Sequence, residues 1–100
     1  MSAQERIQEN LANQRKVAVT FWEGYPNPAL TEIRFTHDGD SPALGAGWSV
    51  NTVVTVGGRE YNEILTKGSW GGDPLPDAPD EAAPGPTSVI YSDGSSETLR

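Results

Sequence analysis

WSVNTVVTVGGREYNEIL, residues 48–65, decides the fold. Two strand-like runs flank Gly57-Gly58, the spacing of a two-residue β-hairpin turn. With the glycines in the turn, Val56 faces Arg59, Val54 faces Tyr61, Thr52 faces Glu63 and Val50 faces Leu65. Side chains alternate across a strand, so Trp48, Val50, Val54, Val56, Tyr61 and Leu65 share one face. Ser49, Asn51, Thr55, Glu60 and Asn62 take the other, with Val53 and Ile64 as apolar exceptions. One dry and one wet side is a fold signal. It carries no chemistry.

Working outward, Ser2-Ala3-Gln4-Glu5 fits a capping box and opens a predicted helix over residues 2–15. Ala3, Ile7 and Leu11 recur every fourth residue and form a narrow apolar stripe, suited to covering one sheet face. From Lys16 to Trp22 the pattern reads as period two, with Val17, Val19 and Phe21 on one side, and predicts a strand. Gly24-Tyr25-Pro26-Asn27-Pro28 breaks it. A second strand is expected over Leu30–His37, with Ile33 and Phe35 inward, closed by Asp38-Gly39-Asp40-Ser41-Pro42. Ala43 to Gly47 form a small-residue approach to the hairpin.

After Lys67 the composition changes. Asp73 to Pro86 hold five of the eight prolines and four carboxylates, and read as an extended, polyproline-II-like, mobile segment. Val89 to Tyr91 then have strand propensity, and Asp93-Gly94 is a turn dipeptide. The expectation is α+β: an N-terminal helix packed on a four- or five-stranded antiparallel sheet, with a mobile acidic Pro-rich segment. Its divisions are residues 1–70 (helix plus sheet), 71–87 (mobile segment) and 88–100 (a returning edge strand and tail).

The charge is −7, with seven basic residues against fourteen acidic ones. Only Arg15-Lys16 forms a basic pair, so no phosphate-tracking stripe exists, and neither nucleic acid nor an anionic membrane is expected as a partner. No apolar run reaches the length of a membrane span, and no secretory-signal pattern opens the chain. Without cysteine there is no disulfide and no thiolate metal site.

His37-Asp38-Gly39-Asp40 is the one cluster of ligand-type side chains, and it lacks the further carboxylates of a calcium loop. It reads as a polar turn, and with a single histidine no metal site or cofactor is expected. No GxSxG elbow accompanies the serines. Glu63 falls on the apolar side of the hairpin beside Tyr61, where desolvation raises a carboxyl pKa. Arg59 on that side suggests either an ion pair at the sheet margin or a pocket formed by Arg59, Tyr61 and Glu63. Trp22, Tyr25 and Trp70 are the candidate interaction patch, against the plainer reading of Trp70 as a lid over the sheet.

LTEIRFTHDGDSPALGAGWSVNTVVTVGGREYNEIL, preceded by a short helix and VAVTFWEGY, resembles small uncharacterised exported or membrane-anchored domains of Gram-positive and actinobacterial proteins. The likeness spans roughly residues 5 to 65, with an echo in VIYSDGSSETL, and rests on I-x-F, a glycine-rich bend and a tryptophan opening a hairpin. It implies a helix with a curled antiparallel sheet and a place outside the membrane, and it implies no activity. The functional expectation is a small non-catalytic protein-interaction or structural domain, extracytoplasmic if anchored and otherwise cytoplasmic. The alternatives are a ligand-binding or enzymatic domain using a concave sheet, and a cytosolic phage-type accessory protein whose acidic tail mimics a polyanion.

Overall fold

The computed structural model describes residues 2–41 and 47–100. The expected small-residue approach at Ala43 to Gly47 lies, apart from Gly47, outside them. The architecture is α+β: one helix, α1 (Ala3–Gly24), on one face of a six-stranded mixed sheet. The strands are β1 (Leu30–Phe35), β2 (Ser49–Val56), β3 (Arg59–Thr66), β4 (Trp70–Gly72), β5 (Thr87–Ile90) and β6 (Ser96–Leu99), in the order β4-β3-β2-β1-β5-β6.

The hairpin forms in the expected register, pairing Val56 with Arg59, Val54 with Tyr61, Thr52 with Glu63 and Val50 with Leu65. Gly57 and Gly58 have φ of 59° and 79°, the doubly positive geometry of a type I′ turn, which suits the twist of the flanking strands. In β1, Leu30 pairs with Val56 but Glu32 pairs with Thr55, so one extra residue bulges at Thr31. The bulge shifts the alternation. Leu30 therefore reaches the core along with Ile33 and Phe35, although the three numbers do not share a parity.

The predicted strand over residues 16–22 is overturned. Serine capping at Ser2 is present, its side chain accepting from the Glu5 amide at 3.1 Å, but the helix runs on to Gly24. Gln14, Val17, Ala18 and Phe21 are its buried positions, spaced i, i+3, i+4, i+7. The β-branched and aromatic content of Val17–Trp22 suggested a strand, but packing one helical stripe against the sheet outweighs that weak preference. The Tyr25 amide closes the helix on the Phe21 carbonyl at 2.8 Å, and Pro26 and Pro28 prevent continuation.

The expected four or five strands become six, and the expected antiparallel pairing throughout does not hold. β5 lies beside β1 in parallel, Ile33 opposite Val89, while the other neighbours are antiparallel. Short loops indeed forbid a parallel crossover among the first strands, but residues 73–86 supply a long connection from β4 to the far side of β1. The returning strand is thus internal, and β6 forms the edge. Residues 73–86 hold no helix or strand, and they are anchored at several points. Tyr25 Oη donates to the Pro76 carbonyl, Trp22 Nε1 donates to the Gly85 carbonyl at 3.0 Å, and Leu75 and Ala78 pack on the core. Thr87 Oγ1 then donates to the Leu30 carbonyl at 3.0 Å as the chain enters the sheet.

Candidate functional site

Three groups of residues merit weighing as sites. The first surrounds Glu63. Its place opposite Thr52, on the helix-facing side of the sheet, leaves the residue 3% exposed. Its Oε2 is buried and has no hydrogen-bond partner among the described residues. The neighbour that matters is Asp73, just past β4. The Asn62 amide donates to Asp73 Oδ2 at 2.8 Å, and the Asp73 amide donates to the Asn62 carbonyl at 2.9 Å. This ring of bonds holds a second carboxylate close to Glu63. Burial, and then the Asp73 charge, push the Glu63 carboxyl above the usual carboxylate range, with partial relief from the Asp73 amide. Gly72 completes the enclosure: a Cβ there would lie 2.3 Å from the Asn62 carbonyl oxygen and 2.9 Å from Glu63 Oε2. Glu63, Gly72 and Asp73 line one side of a shallow groove of about 370 Å³, with Thr36, His37 and Asn51 among the residues opposite.

Arg59 takes no part in this. The ion pairs among the described residues are Arg15–Glu97 and Arg34–Glu60, each 3.1 Å, so the expected Arg59–Glu63 pair is absent. Arg59 is exposed at the hairpin turn and, with half-buried Tyr61, borders a different groove that includes Glu60, Asp73 and Pro74. The sequence missed Asp73 because it lies in what reads as a tail. Only its arrival along β4 brings it to Glu63.

The second group is the aromatic one. Trp22, Tyr25 and Trp70 all lie around the end of α1, each held by its own packing or hydrogen bond. Tyr25 is buried, its ring centroid 5.6 Å from that of Phe21. Trp70 meets Phe21 edge-on at 5.0 Å and closes over Gly24, where a Cβ would lie 2.9 Å from the indole. Trp22 is half-buried with its N–H bonded to the Gly85 carbonyl. Trp70 thus packs on the last turns of α1.

The third group lies where α1 leaves the sheet. Gln14 occupies a core position yet is polar, a signal present in the helical stripe once the helix is extended. Its Nε2 donates to Asn10 Oδ1 at 2.6 Å and to Ser92 Oγ at 2.7 Å, while its Oε1 accepts from the Ser92 amide at 3.1 Å. Ser92 Oγ donates onward to Asp38 Oδ1 at 2.6 Å, and Asn10 Nδ2 donates to the Gly39 carbonyl at 2.7 Å. The Asp38 turn thus clasps the helix. No group of three ligating side chains forms among the described residues. Gly39 seats Trp48, which is half-buried at this rim instead of in the core as its place beside the hairpin suggests. Beyond the clasp, residues 3–9 of α1 are all exposed, and Ile7 is 55% exposed. Ile7 and Leu11, with Asp38, Ser92 and Asp93, frame a groove of about 230 Å³. No helix among the described residues is long and apolar enough to cross a membrane. Compared with known protein families, curated proteins and solved structures, the chain matches none.

Proposed function

We propose that the chain is a small non-catalytic protein-interaction domain that offers the N-terminal half of α1 to a partner. One observation carries this reading: the apolar stripe of the helix continues past the sheet, with Ile7 exposed above the groove it shares with Leu11. Helix turns without tertiary contact gain little stability of their own, and an amphipathic overhang is a common form of helix-in-groove recognition. The burial of Glu63 Oε2 beside Gly72, with no hydrogen-bond partner among the described residues, supports a structural role for that acid. A position outside the membrane, as the family resemblance implies, belongs to the same proposal.

The test is site-specific photo-crosslinking in source cells, with the reactive group at position 7 or, as control, at Thr98 on the exposed part of β6. A discrete adduct from position 7 alone, abolished by Leu11→Asp, is the expected result. Equal labelling from both positions would overturn the proposal.

A further inference from the structure

A second surface names the chemistry of a partner. Arg15 and Lys16 from α1 and Lys67 from the β3–β4 turn line one groove of about 330 Å³ with Val19 and Thr20. These are three of the seven basic residues of a chain carrying −7, brought together from distant sequence positions. No acidic residue lines the groove among the described residues. Spacing on the helix explains the grouping: Arg15 with Val19, and Lys16 with Val19 and Thr20, are i, i+3 and i, i+4 neighbours. Gln14, Val17, Ala18 and Phe21 turn inward, so Arg15, Lys16 and Thr20 occupy the helix's exposed surface with Val19 between them. Val19 is half-buried and packed against the core, which gives the groove an apolar floor between cationic walls. Arg15 Nε donates to Glu97 at 3.1 Å, an exposed pair of little energetic weight that leaves the other guanidinium nitrogens available.

We propose that this groove binds an acidic peptide segment of a partner protein, its carboxylates on Arg15, Lys16 and Lys67 and an apolar side chain between them on Val19. The inference rests on the reading of the chain as a protein-interaction domain and uses a different surface from Ile7. Charge complementarity selects the occupant. A long polyanion such as nucleic acid would extend from three cations onto the rest of a chain carrying −7, since screening cuts off attraction beyond about 8 Å in physiological salt. A free inorganic anion would leave the Val19 floor unused. A short segment of carboxylates around one apolar residue uses both.

The experiment is fluorescence anisotropy with a labelled Glu-Glu-Leu-Glu-Glu peptide on the intact chain, with amide NMR shifts to place it. Binding that weakens about tenfold in K16E/K67E, and also in the milder K16Q/K67Q, is expected, with shifts confined to residues 15–20 and 66–69. Circular dichroism checks that both variants fold. Undiminished binding by those variants, shifts centred on Arg59, equal binding of the Gln-Gln-Leu-Gln-Gln peptide, or displacement by inorganic phosphate at similar concentration would each overturn the proposal. So would a salt-sensitive dimer abolished by K67E, which would make a second copy's own acidic segment the occupant. Ile7→Asp should leave peptide affinity unchanged. A failed peptide titration alongside intact crosslinking at position 7 would therefore remove this inference and leave the interaction reading standing.

Discussion

Glu63 is the residue at which sequence and packing conflict most. A carboxylate there faces a dry interior and a second carboxylate, Asp73, with Oε2 unpaired. Its native pKa is raised, so the folded state holds the proton more tightly than the unfolded chain does. The stabilisation is present in full below the unfolded carboxyl pKa and is lost as pH rises through the native value. Glu63→Gln removes that dependence and offers Asp73 an amide donor. Urea midpoints should show the variant more stable by about 1 kcal/mol at neutral pH, with the gap closing towards pH 4. A gap independent of pH would show that the carboxyl does not titrate differently on folding. Gly39 makes the opposite case, where a missing side chain is required. A Cβ at this position would come 2.1 Å from the Trp48 ring, so Gly39→Ala should cost about 1–3 kcal/mol and alter tryptophan emission.

Among the elements, the hairpin was fully legible because its information is local: paired glycines, a two-residue loop and alternation on both sides determine every partner. α1 was legible only at its start. Val17, Val19 and Phe21 satisfy period two over a short window, and the helical reading appears only with Gln14, Ala18 and Tyr25 included. Tertiary burial decided between them. Phe21 is the residue on which that burial turns, touching both Tyr25 and Trp70. Phe21→Ala should destabilise by about 3–5 kcal/mol and lengthen the emission wavelength of Trp70 as its packing loosens. If residues 16–22 were a strand instead, Val19 and Phe21 would share a face and Val19→Ala would cost as much. With α1 formed, Val19→Ala should cost about 1 kcal/mol or less. The candidate sites were less legible than the fold. Tyr25 and Trp70 each pack on Phe21, and the bonds of Trp22 to Gly85 and Tyr25 to Pro76 depend on where residues 73–86 travel. No local pattern states that path.

At the scale of the whole molecule, the C-terminal third is structural. β5 lies between β1 and β6, with Val89 fully buried and Tyr91 stacked on Phe35 at 5.8 Å. Burial and the Glu97 carboxylate push the Tyr91 hydroxyl well above the usual phenol range, so it stays a donor to Glu97 across the working range. A chain ended after Gly72 exposes the whole β1 edge and the Phe35 face. It should give collapsed amide dispersion in two-dimensional NMR, where a dispensable tail would leave the remaining peaks in place. The acidic composition of residues 73–86 concealed this, since it marks a segment poor in regular structure and says nothing of what it connects.

The parallel seam has a temporal meaning. β1 is made about fifty residues before β5, the strand that closes its bare side. Until then the nascent protein carries an unpaired strand margin beside exposed phenylalanine, a surface prone to association. Synthesis of β1 therefore precedes its closure, and the interval between them is when that margin is open to association.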